Sequence, residues 1–564
     1  MRIRFTLLVL VAVVLFSPAK AQGPAAGNGD PKKARQLFDL DKNYGEALVE
    51  YLKILSEDPN DPEINYRVGL CYLFTNVDKK KAYKYLEVMA RQPKAPKDVY
   101  IELGRAYHLA GRFDDAIKRY NEFIEVARLR PEEAARVNRY IEQCRVAKKL
   151  IEKPVDVTFE CLGKEINTIY PELNPFITQD ESFMVFTSQR NNVTGGFREI
   201  NGSYSSDIFS SLQTAGKWAK AKNLATIVNT LYYEVSTSMT PDGRNVIVYF
   251  SNEVAQSDIY LLNKKEKSKS FQKATSLGGG VNMPKSIESA GALSPDGQTL
   301  IFASDRPGGK GGIDLWRCTM EGGEWSAPEN LGAPINTEAD EDYPSFSPDG
   351  KMLYFSSNSS KSMGGFDIFW SKVNKATENY DEPQNMGYPI NTPDDNQTIS
   401  FNSSGNVAYV AQQRDGGVGD LDIWRVTFNN IQAEVRKTRY TGIVKPADST
   451  GTVITITDKF TGKEIIKTSS AANTGAYSFE LAPGRYIVKI EAANMPAFAQ
   501  ELPVLNDPAF KEKVTLDFDL LATPATPGKP GTAKPGAAKP GTTKPSTTTP
   551  PKKPTTTGTK PKTP

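Results

Sequence analysis

Short runs in which apolar and polar residues alternate recur five times between residues 162 and 425, interrupted by Gly and Asp. Each repeat has an outer half, Leu162-x3-Ile166-Asn167, Leu224-x3-Val228-Asn229, Leu277-x3-Val281-Asn282, Leu331-x3-Ile335-Asn336 and Met386-x3-Ile390-Asn391. Each also has an inner half that ends in Asp, an aliphatic and an aromatic: Asp207-Ile208-Phe209, Asp258-Ile259-Tyr260, Asp314-Leu315-Trp316, Asp367-Ile368-Phe369 and Asp422-Ile423-Trp424. Period-two alternation predicts half-buried strands, and self-similarity every 51–62 residues predicts the blades of a β-propeller.

One repeat shows the parts. Tyr343–Phe346 and Met352–Ser356 read as two strands joined by Ser347-Pro348-Asp349-Gly350, where Pro presets the first central φ and Gly accepts a positive φ at the exit. The turn recurs as Thr240-Pro-Asp-Gly243 and Ser294-Pro-Asp-Gly297, and in weaker form at Asn402–Gly405 and Thr178–Glu181. A Gly-rich loop, the Asp-aliphatic-aromatic strand and an outer strand carrying Trp218 or Trp325 complete four strands per blade. The region opens on a lone outer strand at 157–163 and closes on an inner trio at Trp424. Pairing the two would shut the ring and remove both exposed edges. That arrangement favours five blades, with six as the alternative if the long first repeat conceals a degenerate one.

Other segments have other periods. Residues 32–152 place small and apolar residues at helical spacing, and Gly69-x2-Tyr72 and Gly104-x2-Tyr107 stand 35 apart. This resembles the tetratricopeptide repeat, which implies stacked helix pairs and a groove for a peptide or protein partner. Residues 438–520 alternate strictly, as in Gly475-x-Tyr477-x-Phe479-x-Leu481-x-x-Gly484-x-Tyr486. They resemble the carboxypeptidase regulatory-like, transthyretin-like module, a small β-sandwich that carries no reaction. Residues 1–21 pair Arg2 and Arg4 with an apolar run and Ala19-Lys20-Ala21, the pattern of a cleaved secretory signal without a lipobox Cys. No other stretch is long and apolar enough for a membrane helix. The expected fold is therefore multidomain: signal 1–21, helical array 32–152, all-β propeller 157–428, β-sandwich 438–520 and a disordered tail 522–564.

Composition narrows the chemistry. The tail holds eight Lys, no acid and, apart from its frequent Pro, no apolar side chain larger than Ala. With the three cations of the signal also set aside, the net charge of +3 becomes −8 for the folded part. The basic tail is suited to electrostatic contact with anionic envelope polymers. Nothing interleaves aromatics with basic residues as nucleic-acid binding would require. Four Cys without CxxC spacing read as buried small hydrophobes and give no zinc site. His108 is the single histidine, read as a packing aromatic remote from the propeller, so no Ser-His-Asp triad, Cys-His pair or His-ligated centre is expected. No cofactor is implied. The remaining candidates are carboxylates before innermost strands, Asp340, Glu341, Asp342, Asp394 and Asp395, which would line the channel mouth and hold a cation or perform acid/base work. Their structural reading is that they cap turns or solvate the channel mouth, and the repeated Asp reads as an acceptor of backbone N–H bonds in the blade.

The order of signal, tetratricopeptide array, WD-like or TolB-like propeller and regulatory-like sandwich resembles PorE-like envelope proteins of the type IX secretion system. The chain departs from that pattern in having neither the lipobox Cys nor the OmpA-like domain, so peptidoglycan anchoring is not implied. The resemblance implies a non-catalytic periplasmic scaffold, associated with the outer membrane, that binds envelope proteins through its helices and propeller as an accessory of secretion or outer-membrane assembly. The alternative is a carbohydrate or peptidoglycan-fragment binder acting through propeller loops.

Overall fold

A computed structural model describes residues 29–521 apart from 200–202, 225–227, 252–256, 265–269, 279, 375–378, 431–436, 460–461, 483, 493–494, 496–497, 505–510 and 512. The expected signal and tail lie outside the described residues.

Seven α-helices come first: α1 (Pro31–Arg35), α2 (Tyr44–Leu55), α3 (Pro62–Leu73), α4 (Ala82–Ala90), α5 (Asp98–Leu109), α6 (Phe113–Ala127) and α7 (Pro131–Glu152). Their starts are written in the sequence. Asp61 accepts N–H bonds from Glu63 and Ile64 ahead of Pro62, and Asn43 accepts one from Glu46. Neighbouring helices close tightly where Gly69 faces Leu86 and Gly104 faces Tyr120. A Cβ on either glycine would stand 2.6 Å from that side chain.

Five antiparallel sheets follow, and innermost strands of successive sheets adjoin around a ring. Blade 1 is built from 172–177, 183–188 and 207–214, and blade 2 from 233–239, 245–251, 258–263 and 275–276. Blade 3 uses 288–293, 299–304 and 314–321, and blade 4 uses 341–346, 352–357 and 367–374. Blade 5 is formed by 400–401, 407–412 and 422–428, and its outer strand is Val157–Cys161, paired antiparallel from Val157↔Phe428 to Cys161↔Trp424. The ring therefore closes as the order of the pieces predicts, with five blades. The long first repeat holds a loop between 188 and 207 whose only described pairing is the bridge Arg198↔Tyr204.

The outer strands of blades 1, 3 and 4 differ from the simple expectation. Each is split into two two-residue pieces, such as Glu324–Trp325 and Glu329–Asn330, because the intervening chain leaves the ladder. In blades 3 and 4 Pro328 and Pro383 stand in the break, where no N–H is available for pairing. A second departure is a one-residue bulge in the innermost strands of blades 1 to 4, which turns Asn174 and Tyr343 to positive φ.

Residues 438–520 form two four-stranded sheets. Thr438–Lys445 pairs with Ala476–Leu481, and Val453–Asp458 lies between Glu464–Ser469 and Gly484–Glu491. Alternate residues, among them Ile454, Ile456, Tyr477, Phe479, Val488 and Phe518, fill the space between them.

Candidate functional site

The repeated Asn and Asp are explained by the geometry of the ring's loops. Each outer-half Asn grips the aliphatic residue of an Asp-aliphatic-aromatic strand by two bonds. Asn336 Oδ1 accepts from Leu315 N–H and its Nδ2 donates to Leu315 O, both at 2.9 Å. Asn229 holds Ile208, Asn282 holds Ile259 and Asn391 holds Ile368 in the same way. Asn167 holds Ile423, which joins the first repeat to the last. The repeated Asp accepts backbone N–H bonds from the preceding loop, as Asp207 does from Thr194, Asp367 from Met363 and Asp422 from Val418 and Gly419.

Five residues beyond the Asn stands a second carboxylate register. Glu172, Glu234 and Glu341 accept from the hydroxyls of Thr168, Thr230 and Thr337, and Asn396 replaces Glu in blade 5. Glu288, one residue later in its loop, accepts from Met283 N–H. In blades 1 and 3 a buried arginine completes the set. Arg190 reaches Glu172 at 2.9 Å and lies over Phe209, and Arg306 reaches Glu288 at 3.0 Å over Phe302. Burial raises the Glu172 and Glu288 carboxyls while the arginines pull them back. Burial pushes the Glu234 carboxyl up to about 7, against the weaker effect of its hydrogen bond from Thr230.

The carboxylates singled out by sequence fall within this framework. Glu341 accepts from Thr337 and from Ser357 Oγ at 2.8 Å. Asp340 accepts from Ile313 N–H and Asn358 Nδ2, and Asp395 accepts from Phe366 N–H, so each ties its loop to the preceding blade. Asp394 meets Lys79 of the helical region at 2.8 Å. Asp342 is buried, accepts from Ser289 Oγ of blade 3, and is raised by that burial to about 6. These residues are spread over separate hydrogen-bond sets. Among the described residues, no group of three or more His, Cys, Asp or Glu is placed to hold a metal ion.

The helices meet the propeller in a contact that sequence reasoning missed. His108 is not remote from the propeller. Its Nε2 lies 2.8 Å from Met363 O, and Met363 is fully buried within the helical core. Gln143 Nε2 donates to Asn358 O and Ser359 O at 3.1 Å, and Gln413 Nε2 donates to Asn76 O. Helices α5 and α7 thus receive the loop between the second and third strands of blade 4. A hint was present in that loop, where Ser359 stands in the register of Arg190, Arg306 and Arg414. On the helices, a cleft of about 370 Å³ stays open, lined among others by Tyr66, Phe74, Ile101, Glu102 and Arg136 of α3, α5 and α7 and their ends. Burial raises both the Glu102 carboxyl and the Tyr66 hydroxyl, the latter to about 12.

No family model matches the chain, and no curated protein matches it. Several solved structures do. A putative TolB from Agrobacterium tumefaciens is 13% identical over 58% of this chain and 97% of its own, with a TM-score of 0.28. TolB from Acinetobacter baumannii is 13% identical over 58% of this chain and 65% of its own, with a TM-score of 0.27. A glycoside hydrolase is 8% identical over 51% of this chain and 95% of its own, with a TM-score of 0.34.

Proposed function

We propose that the protein is a non-catalytic scaffold of the cell envelope that holds protein partners through its helices and propeller. The observation that carries this reading is the cleft along α3, α5 and α7, which stays open beside aromatic and charged side chains while other parts of the same helices are fastened to blade 4. A groove of mixed character on a braced helical layer suits an extended or helical segment of a partner. The tetratricopeptide reading is supported by the close approaches at Gly69 and Gly104, which keep the 35-residue spacing. The periplasmic location rests on the signal-like residues 1–21. The PorE-like resemblance makes a secretion or outer-membrane assembly complex the partner of first choice.

Affinity capture tests the reading. The full chain should retain a defined set of envelope proteins, and Phe74→Glu combined with Arg136→Glu should release them while the melting temperature holds. Turnover of a glycan or peptide by the purified chain would overturn it.

A further inference from the structure

The loops that follow the five clamp asparagines lie on one face of the ring in one register, yet they are of two chemical kinds. After Asn336 and Asn391 the chain reads Thr-Glu-Ala-Asp and Thr-Pro-Asp-Asp. This is the sector where the helices sit, with Lys79 on Asp394, His108 on Met363 and Gln143 on Asn358. After Asn167, Asn229 and Asn282 it reads Thr-Ile-Tyr, Thr-Leu-Tyr-Tyr and Met-Pro-Lys-Ser-Ile. There Ile169 is 71% exposed, Leu231 57% and Ile287 45%, and Tyr232 and Met283 are exposed as well. Phe197, 59% exposed, joins them from the loop between the second and third strands of blade 1.

These side chains belong to an ordered surface. Gly195 lies so close to Leu231 that a Cβ would stand 2.7 Å from the Leu231 carbonyl, which sets Phe197 beside Leu231. Tyr233 donates its hydroxyl to Glu199 at 2.5 Å, and Tyr170 packs edge-on to Tyr204. Large apolar residues at neighbouring loop tips, held in place and left in water, mark an interaction surface.

We infer that this crescent, the loop face of blades 1 to 3, docks an amphipathic helix of another protein whose apolar stripe is flanked by carboxylates. Continuity with the contact already present argues for a helix, because helices contact the adjoining loops of blades 4 and 5 on this face. At the junction, Glu46 in the first turn of α2 pairs with Arg198, next to Phe197, at 3.2 Å. Charge argues for the acids, since exposed Lys285 and Lys310 edge the crescent on blade 3. The chain's own tail is a poor occupant, as it is cationic and offers the surface no apolar side chain larger than Pro.

The inference rests on the scaffold reading, and one experiment separates the two. A benzophenone amino acid is placed in the full chain at position 231, and in a second variant at position 74 in the helical cleft. The cells that produce the protein are irradiated and the cross-linked peptides sequenced. Position 231 should capture a helical, acid-flanked apolar segment of a different protein. Ile169→Glu should cut that adduct at least tenfold, whereas Ile465→Glu, an exposed change on the sandwich, should leave it intact. Adducts at 231 to lipid, to a second copy or to the chain's own tail overturn the inference, as does an adduct insensitive to Ile169→Glu. Capture at 74 with none at 231 removes the crescent alone, and silence at both removes the scaffold reading with it.

Discussion

At the scale of single residues, the repeats are held by side chains that substitute for backbone. Asn336 completes a ladder-like pair with Leu315 inside the protein, where neither group can turn to water. Asn336→Ala should destabilise by about 2–4 kcal/mol, since a buried N–H and a buried carbonyl both lose partners. Asn336→Asp should be no better, because a carboxylate keeps the acceptor but faces the Leu315 carbonyl without a donor. Chemical denaturation of the two variants beside the parent checks this. His108 supplies a residue-scale pH dependence. Burial pushes its imidazole down to about 4 from an ordinary 6.5, against a weaker pull from Met363 O. The unfolded chain therefore takes up a proton as pH falls through 6.5 while the folded chain does not until about 4. Stability from the neutral ring is complete above 6.5 and is lost toward 4, by roughly 3 kcal/mol in all. His108→Gln retains an N–H donor and should remove this acid sensitivity, so the parent's advantage over the variant should shrink between pH 7 and 5. Measuring that difference isolates His108 from Glu234, whose raised carboxyl stabilises at low pH and loses that contribution as pH rises toward 7.

At the scale of elements, glycine serves two separate purposes that one melting series can tell apart. Gly297 closes the Ser-Pro-Asp-Gly turn at φ +70° with open space around it, so Gly297→Val should destabilise by about 1–2 kcal/mol through backbone strain alone. Gly364 has no positive φ, but a Cβ there would overlap the backbone of Pro393 in the next blade's loop. Gly364→Ala should therefore exceed Gly297→Ala, by about 1–3 kcal/mol for the forced separation of two blades. The turn was legible in sequence because Pro-Asp-Gly encodes a local conformation. The purpose of the Gly-rich loop was not, because it depends on which backbone the next blade brings alongside. Likewise, the alternation revealed the strands, whereas the split outer strands and the inner bulges follow from closing the sheets around a ring.

At the scale of the whole molecule, Met363 is one of the residues that join helices and propeller, beside Gln143 and Lys79. Its side chain is enclosed by the helical core although its backbone belongs to blade 4. Met363→Asp would bury a charge without a partner, which costs several kcal/mol. Calorimetry should show one transition splitting into two, with the helical region melting first, while a single unshifted transition would mean that the two parts do not rely on this contact. The carboxylates chosen from sequence as channel candidates, Asp340, Glu341, Asp394 and Asp395, show where reading by type runs out. Each was recognisable as a repeated acid, yet its partner comes from another blade, another strand or the helices. By itself the sequence determined what local periodicity and turn chemistry encode: the helical region, the five strand repeats, the outer strand that shuts the ring and the alternating sandwich. Only the tertiary structure decided that His108 meets the propeller, that Asp394 is taken up by Lys79, and that the apolar loops of blades 1 to 3 stay bare while the helices contact the acidic loops of blades 4 and 5. Strand and turn are set by neighbours in the chain, whereas burial and pairing are set by neighbours in space.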